Sequence, residues 1–243
     1  MATAGFQTFD ATHVLTMALT LALPVVLAVV ARRAASEAVA AAISYLLAGA
    51  LLVNEAAHWA YRLDELGLGS FVQNHLPLHA CSVAVFATAA ALLFHNQTAY
   101  EIAYFWGLVG SSNAVITPGL EAGFPEYLFF QYFISHSGIV VGVLFATWGL
   151  RMRPALGGLF RAFVFLNVFA AGIAVFNFLF GSNYMYLCGP PAGTVTPFFF
   201  APWPWYIPIL EVIALAMFFA VLAPFLMTRR RPFRSSAGLR QEM

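Results

Sequence analysis

The sequence predicts an all-α membrane protein, a seven-transmembrane-helix bundle, and three observations lead to this fold class. Of the 243 residues, 62% are hydrophobic and only 9% are charged, whereas a soluble domain carries about 25% charged residues. Apolar runs of about 20 residues, the length that crosses a bilayer, recur along the whole chain. All basic residues are arginines, and they segregate to one side when seven spans alternate across the membrane.

The predicted spans form a single transmembrane domain that covers residues 1–243. They are residues 13–31, 39–61, 77–95, 102–117, 128–150, 159–180 and 205–227. The first span is expected to be retained, because residues 1–10 lack the basic segment that opens a signal peptide. Residues 181–204 connect the last two spans and contain five prolines. This connection is therefore expected to be irregular and stiff.

The arginines also predict the orientation of the chain. Arg32 and Arg33 follow the first span, and the basic tail 228–243 follows the last one. Because basic residues accumulate on the cytoplasmic side, the N-terminus is expected outside and the C-terminus in the cytoplasm. Only Arg62 falls on the outer side. We expect a multi-pass protein of the bacterial inner (cytoplasmic) membrane with lipids as partners and no nucleic acid, and leave the oligomeric state open.

Polar side chains gather at one depth of the predicted bundle, in its outer half. Ionisable residues inside a membrane are costly, so each is a functional candidate. Six helices contribute to this layer, and the candidate site residues are Glu55, His58, His79, Cys81, Asn113, Gln131, His136, Asn177 and Glu211. The layer predicts a ligand-binding or catalytic pocket. The alternative is a hydrogen-bonded network that only holds the helices together.

Within this layer Cys81 and His136 are the candidates for a nucleophile and its general base. A cysteine becomes nucleophilic when a nearby base favours its thiolate. Acyl transfer also needs a group that orients the base and donors for the oxyanion. The predicted donors are amides and the predicted orienting groups are carboxylates: Asn113, Gln131 and Asn177, with Glu55 or Glu211. Two alternatives for Cys81 stay open, a packing residue and a disulfide with Cys188.

Metal chemistry is an alternative for the same layer. His75 and His79 are four residues apart, and Glu55 and His58 are three apart, so each pair can share a helical face. Imidazole and carboxylate ligands suit zinc or iron. A carboxylate-bridged di-iron bundle, however, uses two Glu-x-x-His elements, and the chain has one. No metal or other cofactor is predicted, and a metal-dependent hydrolase remains an alternative.

Two further classes of seven-helix membrane protein fit the sequence less well. A retinal protein needs a lysine for its Schiff base, and the chain contains none, so this class is excluded. A transporter or channel is typically built from repeats with broken helices near the midplane. No repeat is evident in the sequence, and the polar layer is one-sided. A non-catalytic protein that binds or transports a lipid or small molecule stays an alternative.

Three strings carry a resemblance to a known family. The string His75–Cys81 resembles the His-Leu-Pro-Leu-His-x-Cys motif of the bacterial YwaF-like integral membrane proteins, and Gln131–Gly138 and Asn183–Cys188 are similar to further family strings. That family is similar to a eukaryotic transmembrane group with an acyltransferase of ether phospholipids that uses a cysteine and a histidine. The resemblance implies that these are Cys81 and His136. More distant relatives are membrane hydrolases of fatty-acid esters.

The leading hypothesis is therefore a membrane acyltransferase or lipid hydrolase that acts on an acyl lipid of the outer leaflet. Cys81 would attack the ester, and His136 would take and return the proton. Glu55 and His58 would shape the pocket. His79 would point away from Cys81 on a helix, and its predicted role is binding or structural.

Overall fold

The structure is a computed structural model that describes residues 5–190 and 201–227, and these residues form helices and loops without a strand. The helical segments, in chain order, are α1 (Ala11–Ala34), α2 (Glu37–Asn74), α3 (Ala80–Phe94), α4 (Gln97–Ile102) with a π-helix (Ala103–Ser111) and α5 (Ser112–Ile116), α6 (Tyr127–Trp148), α7 (Leu156–Phe180) and α8 (Tyr206–Met227). Since α4, the π-helix and α5 follow one another without a break, the described residues contain seven helical segments.

The prediction of an all-α, multi-pass membrane protein is confirmed. Five helices, namely α1, α2, α6, α7 and α8, are long and apolar enough to cross a membrane. Helix α3 is apolar but has 15 residues, and the fourth segment changes to a π-helix in its middle. The predicted basic tail 228–243 and residues 191–200 of the predicted stiff connection lie outside the described residues.

Helix α6 lies at the centre of the bundle and packs against α1, α2, α3 and the π-helix. Two glycines one turn apart, Gly138 and Gly142, make this close packing possible. A Cβ atom on Gly138 would lie 2.9 Å from Leu51 of α2, and one on Gly142 would lie 2.6 Å from Thr88 of α3. Small residues four apart are a common device for close helix approach in membranes.

Helix α2 continues well beyond its predicted span of residues 39–61. The apolar run ends at Arg62, but the helix continues to Asn74, because helical hydrogen bonds do not require apolar side chains and a salt bridge between Arg62 and Glu65 (2.7 Å) supports the polar turn. Gly67 interrupts the helical geometry with φ 73° and ψ 168°. Only glycine adopts this conformation without strain. The chain therefore changes direction before it reaches α3.

An ion pair with a buried carboxylate closes the end of the bundle where α4 begins. Glu101 is only 2% exposed, and its carboxylate accepts hydrogen bonds from Arg161 of α7 and from Gln97 Nε2 (3.1 Å). Gly158 of α7 lies against this carboxylate, since a Cβ atom there would be 2.1 Å from Glu101 Cδ. The contact joins α7 to the fourth helical segment at the end remote from Cys81.

Candidate active site

A cavity of about 810 Å³ opens at the end of the bundle where α2 ends and α3 begins, here called the cavity end. Its walls come from α2, α3, α5 and the loop after it, α6, and the 3-10 turn Tyr184–Tyr186 that follows α7. Seven of the nine predicted site residues line it: Glu55, His58, His79, Cys81, Asn113, Gln131 and His136. The fold thus brings residues from four helical segments to one space.

Cys81 is the second residue of α3 and lies against the π-helix. A Cβ atom on Gly110 would be 3.5 Å from Cys81 Sγ, an ordinary van der Waals distance, so the sulfur lies close to this glycine. The thiol also faces the Ser111 hydroxyl, but their contact falls short of full hydrogen-bond geometry and Ser111 Oγ has no hydrogen-bond partner among the described residues. Cys81 is free, and so is the exposed Cys188, which does not line the cavity. The disulfide alternative has no support from this arrangement.

His136 is held one turn below Tyr132 on α6. Its Nδ1 lies 2.9 Å from the carbonyl oxygen of Tyr132, and because a carbonyl can only accept, Nδ1 carries the proton. Nε2 therefore presents its lone pair, and no hydrogen bond to a described residue occupies it. The Tyr132 ring packs on the imidazole with centroids 4.2 Å apart, and its hydroxyl donates to the carbonyl of Ala114 (3.0 Å).

The group that orients His136 is thus a backbone carbonyl rather than either carboxylate predicted from the sequence. Glu55 lines the cavity and accepts a hydrogen bond from Trp59 Nε1 (3.1 Å). Glu211 lies outside the cavity, on α8, where it accepts a hydrogen bond from Asn167 Nδ2 (2.9 Å). Periodicity alone could not separate these two glutamates, because each lies within an apolar helix.

The 3-10 turn after α7 holds His79 in place. The backbone N–H of Met185 donates to His79 Nδ1 (3.3 Å), so the ring proton sits on Nε2. The imidazole also packs against the rings of Tyr184 and Tyr186, with centroids 5.2 and 5.5 Å away. His79 therefore couples the start of α3 to this turn while lining the cavity.

Asn177 lies outside the cavity and holds Tyr184, one of the residues that line it. Its side chain makes two hydrogen bonds to the backbone of Tyr184, one to the carbonyl and one from the N–H, each 2.9 Å long. The Tyr184 hydroxyl donates to the carbonyl of Val72 (2.9 Å) and accepts from the N–H of Leu76 (2.8 Å). Asn177 thus ties the 3-10 turn to α7, and Tyr184 ties the turn to the connection between α2 and α3. Its amide is engaged by this turn and does not face the cavity as an oxyanion donor.

The other two predicted amides do line the cavity. The side-chain amide of Asn113 donates one N–H to the carbonyl of Val109 (2.7 Å), and its second N–H is available. The backbone carbonyl of Gln131 accepts from Asn54 Nδ2 (3.0 Å), and its side-chain amide lies 3.5 Å from Ser135 Oγ. Both side chains remain available as donors to a bound molecule.

The sequence analysis did not assign Arg62 to the site. This arginine belongs to a group of basic side chains at the mouth of the cavity, where the exposed residues Gln73 and Asn74 also line the cavity. Arg62 and His75 also line the cavity there, and the His58 and His75 ring centroids are 6.0 Å apart. Burial, reinforced by the charge of Arg62, lowers the pKa of His75, so this ring is mostly neutral at pH 7. The missed signal was the spacing of Glu55, His58 and Arg62, which puts all three on one face of α2.

The metal alternative finds no arranged ligand set in the described part of the chain. Among residues 5–190 and 201–227, no group of three or more His, Cys, Asp and Glu side chains is arranged to hold a metal ion. The residues of the two pairs have other close partners in the fold: the His58 and His75 rings approach each other, and Glu55 accepts a hydrogen bond from Trp59.

Fold and site together define an all-helical, multi-pass membrane protein with a polar cavity lined by a thiol, an imidazole and basic side chains. The chain belongs to the TMEM164 family, a family of multi-pass membrane proteins, which it matches over residues 8–222. This match includes every helix from α1 to α7, most of α8, and all nine predicted site residues. No curated protein and no solved structure matches the chain.

Proposed function

We propose that this protein is a membrane acyltransferase or lipid hydrolase in which the Cys81 thiol attacks the ester of an acyl lipid. The observation that carries the proposal is that Cys81 and His136 line one cavity, while the Tyr132 carbonyl leaves His136 Nε2 as a free base. The resemblance of the string His75–Cys81 to the YwaF-like proteins, and through them to an ether-phospholipid acyltransferase, supports the same chemistry.

The reaction follows from the proton carried by each group. His136 Nε2 takes the proton of the Cys81 thiol, and the sulfur attacks the carbonyl carbon of the ester. The tetrahedral intermediate collapses to an acyl thioester when the lipid alcohol leaves with the proton from Nε2. A second lipid hydroxyl or a water then attacks the thioester, His136 takes its proton, and the thiol is regenerated. Asn113 and Gln131 are the proposed donors to the oxyanion.

The proposed topology has seven spans, with the N-terminus outside and the C-terminus in the cytoplasm of the bacterial inner membrane. The arginine distribution supports this orientation, since Arg62 is the only arginine among the described residues that lines the cavity. The cavity would then face the outer leaflet. An acyl lipid of that leaflet could reach Cys81 without crossing the membrane.

The test is acyl exchange by the full-length protein in lipid nanodiscs, with a fluorescent acyl glycerolipid as donor. Cys81→Ala is expected to abolish exchange, because it removes the proposed nucleophile. His136→Gln is expected to slow it about 10²- to 10⁴-fold, the usual contribution of general base catalysis. Cys188→Ala is the matched control and should behave as wild type, since Cys188 is exposed and lies outside the cavity.

A lipid-like thiol-reactive probe provides a second readout that needs no acceptor. Labelling should disappear in Cys81→Ala, weaken in His136→Gln and persist in Cys188→Ala. Exchange that survives in a folded Cys81→Ala protein would overturn the nucleophile assignment. A lipid that binds stoichiometrically without turnover would favour a binding or transport protein, for which the cavity of about 810 Å³ is also large enough.

A further inference from the structure

We infer that Ser111 is a positioning residue for the Cys81 thiol, because its hydroxyl is placed to donate a hydrogen bond to the sulfur when the thiolate forms. The inference rests on the proposed function, since it concerns the nucleophile of that reaction. It gives a role to a side chain that does not line the cavity and that lies at the end of the π-helix (Ala103–Ser111).

The Ser111 hydroxyl is the first observation, because it is buried and lacks an acceptor. Ser111 is 0% exposed, and its Oγ has no hydrogen-bond partner among the described residues. Buried polar groups are paired in the large majority of cases, so an unpaired one requires an explanation.

Other buried hydroxyls of the bundle are paired with the backbone of their own helix. Thr88 of α3 and Thr147 of α6 each donate to the carbonyl oxygen four residues earlier, at 2.7 Å, a usual bond for a hydroxyl within a helix. Ser111 makes no such bond. It is the last residue of a π-helix, in which the backbone pairs residues five apart, and π-helical turns are frequent at functional sites. Its O–H is therefore available to a group outside its own helix.

The group that it faces is the Cys81 thiol. The sulfur lies opposite the Ser111 hydroxyl, and a Cβ atom on the neighbouring Gly110 would be 3.5 Å from Cys81 Sγ. A neutral thiol is a weak acceptor, in keeping with a contact that falls short of full hydrogen-bond geometry. A thiolate accepts more strongly, because a hydrogen bond to a charged group is shorter and about twice as strong. The hydroxyl is thus placed to stabilise the charge that develops on the sulfur.

The proposed reaction keeps its proton balance with this contact. His136 Nε2 holds the proton taken from the thiol, and Ser111 keeps its own proton throughout. The hydrogen bond raises the fraction of Cys81 present as thiolate and lowers the intrinsic nucleophilicity of that thiolate, because nucleophilicity falls as a thiolate is stabilised. These two effects have opposite signs, and together they distinguish a donor to the sulfur from a side chain that only packs against it.

The test is the pH dependence of labelling by a lipid-like maleimide, with the full chain in nanodiscs and in a Cys188→Ala background that leaves Cys81 as the only thiol. Ser111→Ala is expected to lower the labelling rate at pH 7 about 3- to 10-fold, the loss of a hydrogen bond to a charged group partly offset by higher nucleophilicity. The rise of the rate with pH should move up by about one pH unit. On the high-pH plateau the variant should label as fast as wild type or faster.

Two variants separate the hydrogen bond from packing. Ser111→Thr keeps the hydroxyl and should restore the wild-type pH profile. Ser182→Ala is the matched control, because Ser182 is also a buried serine without a hydrogen-bond partner among the described residues and does not line the cavity; it should match wild type. The titratable side chains that line the cavity around Cys81 stay the same in every variant: Glu55, His79, Tyr132, His136 and Tyr186.

The outcomes decide the inference separately from the proposed function, because labelling needs no acyl transfer. An unchanged profile in folded Ser111→Ala, an equal shift in Ser182→Ala, or a rate that falls by one factor at every pH would overturn the inference. If Ser111→Thr does not fold, the crossing of the Ser111→Ala and wild-type rates decides alone. A profile that depends on Ser111 without any acyl exchange would refute the proposed chemistry and leave the contact with Cys81 standing. Exchange that needs Cys81 but is unaffected by Ser111→Ala would overturn the inference and leave the chemistry intact.

Discussion

The two ends of the bundle contain similar polar side chains and differ in how these are paired. At the end where α4 begins, the buried carboxylate of Glu101 has two partners, Arg161 and Gln97. It also packs directly against Gly158, where a side chain would clash with it. Four buried side-chain atoms lack a hydrogen-bond partner among the described residues, and all four lie at the cavity end. They are His58 Nδ1, Arg62 Nε, Ser111 Oγ and Ser182 Oγ.

This difference indicates what each end does. An unpaired buried donor or acceptor costs stability, and natural structures contain few of them. Two of the four belong to His58 and Arg62, which line the cavity, and a loss of stability at such a place is expected where function outweighs it. The closed end is expected to stabilise the fold, and the cavity end to bind. Mutations at the two ends should therefore separate stability from function.

The largest effect on stability is expected for Arg161→Gln at the closed end. Glu101 is 2% exposed, whereas the Arg161 side chain is 58% exposed. Loss of the arginine strands a buried carboxylate, so the free energy of unfolding should fall by about 3 to 5 kcal/mol. Glu101→Gln leaves behind an arginine that water can solvate, and should cost about 1 kcal/mol. Unfolding in mixed detergent micelles would measure both variants. Equal losses in the two variants would contradict the asymmetry.

An intermediate effect is expected for Asn177→Ala, which removes both hydrogen bonds to the backbone of Tyr184. The free energy of unfolding should fall by about 2 kcal/mol, and hydrogen exchange should rise in residues 181–187, which hold His79 and one wall of the cavity. Asn167→Ala is the control on the same helix. It removes the contact with Glu211 and leaves the hydrogen bonds to Tyr184 intact, so hydrogen exchange in residues 181–187 should stay at the wild-type rate. Exchange that stays unchanged in Asn177→Ala would show that the turn is held by other contacts.

The smallest effect on stability is expected at the cavity end itself. Ser111→Ala removes a fully buried hydroxyl that has no partner among the described residues, and His58→Leu replaces an unpaired imidazole with an apolar side chain. Each should change the free energy of unfolding by no more than about 0.5 kcal/mol or raise it. A loss of several kcal/mol in either variant would mean that these groups stabilise the fold. This result would contradict the proposed difference between the two ends.

Much of the helical organisation was predictable from the sequence, because an apolar run of about 20 residues has few alternatives in lipid. The helices α6, α7 and α8 begin within about three residues of the predicted spans, as expected of boundary estimates. The main departures are α2, whose helix continues past Arg62, and the fourth segment, which contains a π-helix. Hydropathy detects burial in lipid and is insensitive to a polar helical extension or to a change of helical pitch.

The sequence by itself determined that the chain is an all-α membrane protein and that most of its candidate site residues lie toward one end, because the cost of burying charge in lipid acts on each segment separately. Only the tertiary structure decided which of those residues share a space. It placed Asn113 and Gln131 in the cavity but turned Asn177 onto the backbone of Tyr184, and it made a carbonyl of Tyr132 the partner of His136. Such choices depend on the rotation of each helix about its axis, which packing against neighbouring helices sets.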